Sequence, residues 1–362
     1  METIGLDQTQ KEMLEDIREK VNKELGDYLA LKIEEFDHIH PMARNLANRL
    51  SQYVLRGGKR IRPTLVVLGH IASGGELGRE ILRASLSMEL MQGFLLIEDD
   101  VMDQASLRRG GPTIHKTFTD DHNKANLKGP SARFGENVAI TGGLIVGYWG
   151  VECLTSAGFP PNPTLEAVML YSETVEATGI GQLFDLTFGV SHTSSVEDVL
   201  LIQEYKTSLY TIANPLRMGA MLGEAPGELL EGFRNFGVNI GIAFQLHDDY
   251  LGLFGNEKIL GKSVLSDLAE GKQTVPIVKA LELARPGDRE FIIEILGNPQ
   301  LTMADLSRVR DIVESTGALA YSMEMEMKYL HNGLSVLEEL SIPRKIKKVL
   351  TSLANYIVSR HM

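Results

Sequence analysis

Asp99, Asp100 and Asp103 stand inside LMQGFLLIEDDVMDQASLRRGGPTIH, and Asp248 and Asp249 stand inside GIAFQLHDDYLGLFG. Each acid set ends a long apolar helical run. Bare carboxylates at short range and intermediate dielectric repel one another by an energy on the order of 4 kcal/mol, so such sets need cations. With Arg108, Arg109 and several lysines close in sequence, the economical chemistry is Mg2+ gathered around a diphosphate. Asp99 and Asp103, four apart, share a helix face with roughly 6 Å between them, and Asp100 lies one position round. Mg2+ keeps octahedral oxygen coordination, retains waters, and is held by one or two carboxylates plus substrate phosphates. The bland alternative, a solvated acidic helix end, is disfavoured for Asp99 and Asp103 by the flanking GFLLI and RRGGP, and stays open for Glu98.

Five positions after Asp103, Arg108-Arg109-Gly110-Gly111-Pro112 reads as a turn presenting two guanidinium forks suited to bidentate phosphate binding. Near the start, RGGKRIRPTLVVLGH puts Gly57-Gly58 before Lys59, Arg60 and Arg62, with Pro63 at an early helical position. A basic cluster at a helix N-terminus binds anions through side chains and N–H groups together. Lys59 and Arg62, three apart, share a face, and Arg60 is expected in solvent. The nine histidines offer no catalytic constellation, and His115 and His247 read as structural.

The elements that must carry these groups are helices. Apolar residues recur at three and four almost throughout and alternating runs are scarce, which predicts an all-α fold. Leu229, Phe233, Phe236, Ile240, Phe244 and Asp248 step by four and three, carrying a core stripe into a carboxylate, and the helix before Asp99 is apolar nearly all round, hence buried. Breaks are expected at 56–58, 73–75, 105–112, 159–163, 189–195, 223–227, 271–276 and 286–287. Ser194 with Glu197 reads as a capping box opening the helix of Lys206. None of the breaks reads as an interdomain linker. The expectation is one helical domain over 1–362, with a helical surface extension at 1–40 and a motif core at 50–280.

The chain has 362 residues, 43% of them hydrophobic, and a net charge of −12. That balance excludes nucleic acid and an anionic membrane surface as partners, because both need clustered Lys and Arg. The single cysteine, Cys153, excludes an internal disulfide and a multi-cysteine zinc site, and fits a cytoplasmic location. The opening residues have no apolar segment of the secretory kind. Val138–Val151 is the most membrane-like run; it is too short to span and is expected to be a buried helix, so no transmembrane segment is expected.

Taken in order, GGKRIRP, DDVMD with LRRGGPTIH, GQLFD, KTS, FQLHDDYLGLFG, and GK followed by SD and GKQT resemble the trans-isoprenyl diphosphate synthases, the polyprenyl synthetases of geranylgeranyl and farnesyl type. The resemblance covers roughly residues 50 to 280. It implies one large helical bundle around a deep central cavity, assembled as a homodimer. It implies that Asp99, Asp100, Asp103, Asp248 and Asp249 bind Mg2+, three ions with the diphosphate bound and Mn2+ as a substitute. Arg108, Lys206, Thr207, Gln245, Lys262 and Lys272 would hold the allylic diphosphate, Lys206 with a catalytic role. Gly58, Lys59, Arg62, Gln92 and Arg109 would grip isopentenyl diphosphate, and Gln182 and Asp185 would line the cavity. Phe94 would limit chain growth, with Leu95 and Met91 beside it. Helix spacing by itself puts Leu95, not Phe94, above Asp99.

The reaction so implied is ionisation of an allylic diphosphate (dimethylallyl, geranyl or farnesyl), attack by isopentenyl diphosphate and loss of a proton, giving a C20 product, with C15 as the alternative. A terpene cyclase, which needs no isopentenyl site, and a non-catalytic partner subunit are the competing readings. Three departures stand out: Gly252 where many members have a third Asp, Glu98 where His is frequent, and Gly142-Gly143 where Gly-Asp is common.

Overall fold

The computed structural model describes residues 7–191, 194–255 and 263–358. Among them the only extended backbone pairing is a two-residue hairpin, β1 (Leu107–Arg108) with β2 (Gly111–Pro112), in register Leu107 to Pro112 and Arg108 to Gly111. Everything else that is regular is helical, as the periodicity predicts. The chain divides into two compact units, one of Asp7–Tyr171 with Pro215–Ala225, the other of Ser172–Asn214 with the chain from Pro226 onward.

In the first unit, α1 (Gln8–Asp37) opens with Asp7 as N-cap: its carboxylate accepts from the Gln10 amide while the Gln10 side chain accepts from the Asp7 amide. The stripe Leu14, Ile17, Val21, Leu25, Tyr28 and Leu29 is buried, and the Tyr28 hydroxyl donates to the Trp149 carbonyl at 3.2 Å. The expected surface helix is thus anchored by one buried face while its other residues stay exposed. Its exposed charges hide a seam of apolar residues at helical spacing. α2 (Pro41–Leu55) begins with proline at its first turn and stops before Gly57-Gly58. α3 (Ile61–Ala72) follows, and then α4 (Arg79–Met102), buried on nearly every side as far as Gly93. α5 (Ile114–Lys124) and α6 (Ser131–Thr155) pack together, and α4 lies along α6.

The apolar run around Val138–Val151 is part of this longer α6, which by length and composition alone could cross a membrane; half of its most apolar window is buried. Ile140, Leu144 and Tyr148 form an exposed apolar stripe on it. The expected buried helix is longer than the apolar run, and it packs by one face while the other stays exposed.

α7 (Pro161–Ser191) carries GQLFD, and runs three residues into the break expected from 189. In the second unit the capping box is Ser195 with Asp198, not Ser194 with Glu197: Ser195 Oγ accepts from the Asp198 amide and the Asp198 carboxylate accepts from the Ser195 amide. Both spacings satisfy the sequence rule, and the helix starts one residue later. α8 (Val196–Ile202) continues into a π-helical stretch, Gln203–Ala213, and α9 (Asn214–Leu222) follows. α10 (Gly227–Phe254) is the central helix of this unit, packed on the π-helical stretch and on α15 (Ala318–Glu339). Val196, Val199, Ile242, Leu246, Val275 and Val278 form one apolar cluster there. The short α11 (Ser266–Ala269), α12 (Val275–Leu283), α13 (Pro286–Ile295) and α14 (Met303–Ser315) close over a second cluster around Leu253, Leu268, Ile277, Ile292 and Leu306, and α16 (Arg344–Val358) ends the described chain.

Candidate active site

The first acid set ends α4. Asp100 is buried, accepting the Tyr53 hydroxyl at 2.6 Å on Oδ2 and the Arg108 Nε at 2.6 Å on Oδ1. Burial, with the Asp100 carboxylate beside it, holds the Tyr53 hydroxyl above its ordinary range, so it stays a donor. Asp99 keeps 28% of its side chain exposed, 3.6 Å from Arg108 Nη2, and Asp103 caps the helix in an exposed position. The outer carboxylates are thus presented, while the inner one is spent orienting an arginine.

The second acid set, in the other unit, repeats this division. Asp249 is buried and accepts from Gln203 Nε2 at 2.9 Å, Gln245 Nε2 at 2.9 Å and Lys272 Nζ at 3.0 Å, while Asp248 is half-buried. Burial pushes the Asp249 carboxyl up against the opposing pull of Lys272 and Gln245. Burial also pulls on Lys272, but the Asp249 and Asp267 carboxylates outweigh it and keep the ammonium charged. Thr207 Oγ1 donates to Gln245 Oε1 at 3.3 Å, and Lys206 pairs with Asp185. Thr207, Gln245, Asp249 and Lys272 therefore form one connected chain of bonds, and the Lys206–Asp185 pair stands at the neighbouring position of the π-helical stretch. Gln182 is half-buried on α7, and Lys262 lies outside the described residues.

Two members of these networks escaped sequence reasoning, and a third, Asp267, appears there only as the acid of the SD motif, without a role. Tyr53 and Gln203 belong to helix stripes that look like packing, and nothing in their spacing marks them. Asp267 explains the absent acid at 252: a Cβ built on Gly252 would collide with the Asp267 Oδ2, so a carboxylate from another element occupies that space, 3.8 Å from Lys272. Gly143 is explained in the same way. A Cβ there would collide with Glu98 Oε1, so the Glu98 carboxyl fills the space that a side chain at 143 would take.

The basic loop residues gather in the first unit. Gly57 and Gly58 have positive φ, as does Arg60 at 51°, and α3 starts immediately afterwards, with Arg62 in its first turn and Lys59 exposed before it. Arg60 is not in solvent. It is buried against the equally buried Glu89 and donates to Asn22 Oδ1 at 2.9 Å and to the Val54 and Leu55 carbonyls at 3.2 Å. In a left-handed backbone its side chain turns inward, which the three-residue spacing of its neighbours conceals. Arg109, also left-handed at φ 51°, donates to the Arg56 and Gly57 carbonyls at 3.2 and 3.0 Å. On α4, Gln92, Phe94 and Leu95 are half-buried, the Phe94 ring lies 3.3 Å from where a Cβ on Gly147 would stand, and Met91 is fully buried.

Among the described residues no three His, Cys, Asp or Glu side chains alone make a metal cage. Hard carboxylate oxygens presented one or two at a time still fit Mg2+, which takes its remaining ligands from phosphate and water.

Residues 44–313 match the family model described as Polyprenyl synthetase. The chain belongs to the polyprenyl synthetase family. Among its relatives, geranylgeranyl diphosphate synthase of Saccharolobus solfataricus is 29% identical, covering 84% of this chain and 87% of that one. Geranylfarnesyl diphosphate synthase of Aeropyrum pernix is 32% identical over 84% of this chain and 91% of that one. The crystal structure of geranylgeranyl pyrophosphate synthase from Corynebacterium glutamicum, complexed with isoprenyl diphosphate and magnesium, superposes with a TM-score of 0.89 at 30% identity, covering 96% of this chain and 99% of that one. This polyprenyl synthetase has the all-α isoprenoid synthase fold.

Proposed function

We propose that this polyprenyl synthetase joins isopentenyl diphosphate to an allylic diphosphate and releases a C20 prenyl diphosphate. The observation carrying the proposal is the repeated arrangement of the two acid sets: Asp100 and Asp249 are each buried and bonded by protein donors, while Asp99, beside Arg108, and Asp248 keep part of their surface exposed. A core helix spends free energy to present charge in this way only if a cationic ligand complements it.

Asp99, Asp103 and Asp248 would hold Mg2+, which supplies positive charge to the departing diphosphate. Arg108, Lys206, Thr207, Gln245, Lys262 and Lys272 grip the allylic diphosphate and stabilise charge as it develops on the leaving oxygens. Asp100 and Asp249 fix Arg108, Gln245 and Lys272 before substrate arrives, so little reorganisation remains in the transition state. The allylic carbon, left electron-poor, is attacked by the double bond of isopentenyl diphosphate held by Gly58, Lys59, Arg62, Gln92 and Arg109. The proton then lost passes to diphosphate.

Phe94 and Leu95 form the floor, with Met91 packed behind them. One aromatic ring favours C20 over C15. The exposed stripe Ile140, Leu144 and Tyr148, with Leu165 and Met169 on α7, supports a homodimer. We place the enzyme in the cytoplasm, without nucleic acid as a partner, and expect Mn2+ to replace Mg2+ and three ions to bind with diphosphate. The deciding experiment supplies isopentenyl diphosphate with dimethylallyl, geranyl or farnesyl diphosphate in turn and measures product length. A C20 main product supports the proposal; cyclised hydrocarbon or no condensation overturns it.

A further inference from the structure

Arg56 opens the RGGKRIRP run, where the sequence gives it no ligand role, and it joins the two basic loops. It caps α2, and its Nη1 donates to the Pro112 carbonyl at 2.6 Å and lies 3.5 Å from the Arg108 carbonyl. Arg109 returns the bond, donating through its own Nη1 to the carbonyls of Arg56 and Gly57. The segments 56–58 and 108–112 thus exchange guanidinium-to-carbonyl bonds in both directions. A Cβ on Gly111 would stand 2.6 Å from Arg56 Cζ, so residue 111 is bare where the guanidinium crosses it.

The crossing has a second anchor. Arg56 Cζ lies 5.6 Å from the centre of the Tyr53 ring, Tyr53 donates to Asp100, and Asp100 receives Arg108. A closed circuit therefore runs Arg56, Tyr53, Asp100, Arg108 and back through the backbone of the 108–112 turn to Arg56. Arg109 sits in this turn with left-handed backbone, a strained conformation for a non-glycine residue that persists only when its surroundings enforce it. The circuit is what enforces it.

We propose that Arg56 is a positioning residue that prebuilds the isopentenyl diphosphate site by fixing Arg109 and the Gly57-Gly58 loop. This rests on the reading that Gly58, Lys59, Arg62 and Arg109 hold that substrate. Preorganised donors bind without the ordering cost that a loose loop would incur.

The test uses the full chain with Arg56→Gln, Arg56→Lys, Arg109→Gln and the double variant Arg56→Gln/Arg109→Gln, measuring KM separately for isopentenyl diphosphate and for the allylic partner. Losing charged hydrogen bonds to two carbonyls should raise the isopentenyl KM of Arg56→Gln about tenfold, with the allylic KM within about twofold. Lysine should rescue part of the loss, because one ammonium reaches Pro112 without making the planar bridge. In the Arg109→Gln background the Arg56 change should add little. Unchanged KM values, a parallel rise in both, or a full additive loss in the double variant would each overturn the proposal. Failure of the underlying reading looks different: the wild-type chain would then make no isopentenyl-dependent product.

Discussion

The Asp267 carboxylate stands where a side chain at position 252 would begin. Asp267 is held 3.8 Å from Lys272, which also bonds Asp249 at 3.0 Å, so the exchange of acid between elements keeps a carboxylate beside the second acid set without one on that turn of α10. Gly252→Ala should therefore overpack and cost about 1–3 kcal/mol of stability. In an Asp267→Ala background the same change should cost much less. Urea denaturation of the four proteins of this cycle measures the coupling, and equal costs in both backgrounds would mean that the two residues do not compete for space.

Asp99 and Asp100 should fail differently although they are adjacent. Asp99→Ala, like Asp248→Ala, should leave the fold intact and lose nearly all turnover with Mg2+ present. Asp100→Ala strips Tyr53 and Arg108 of their acceptor and should cost stability as well, about 2 kcal/mol after allowance for the part-exposed guanidinium. Thermal melting beside steady-state rates separates the two; an Asp100→Ala protein that melts like the wild type would show the buried triad to be dispensable.

How far the sequence reveals this site follows from what kind of information each residue carries. Asp99 and Asp103 are visible because charges at the end of an apolar run contradict ordinary packing, and Lys59 and Arg108 because they stand in basic glycine-rich loops beside helix ends. Helix spacing also places the all-α fold and most chain breaks. Tyr53 and Gln203 are not visible, and Asp267 shows only as a motif letter, because their meaning lies in contacts across 15 to 47 positions of sequence that no local period encodes. Arg60 misleads for the same reason: periodicity assumes a helical backbone, and its positive φ turns the side chain into the core. The π-helical stretch carrying Lys206 leaves no compositional mark, since widening a turn by one residue depends on what packs against it.

Phe94→Ala should move the product distribution toward chains longer than C20, read directly by product-length analysis. The ring lies against Gly147, where a Cβ would stand 3.3 Å from it, so its loss opens space beside a bare stretch of α6. An unchanged distribution would assign the floor to another residue.

Glu98 gives the chain a stability that falls as pH rises. Burial pushes its carboxyl up to about 7, from an ordinary value of 4.5 in the unfolded chain. Between those two values the folded state holds a proton that the unfolded state has released, so folding is favoured at the acidic end and loses this contribution as pH passes through about 7. Glu98→Gln, neutral at every pH and nearly the same shape above Gly143, should therefore melt close to the wild type at pH ~5 and above it at pH ~8, because only the wild type must then ionise a half-buried group. The comparison belongs in chelator, since a divalent cation on the neighbouring Asp99 would favour the charged form and shrink the difference. Parallel melting curves for the two proteins across this range would place the Glu98 carboxylate in water rather than against α6.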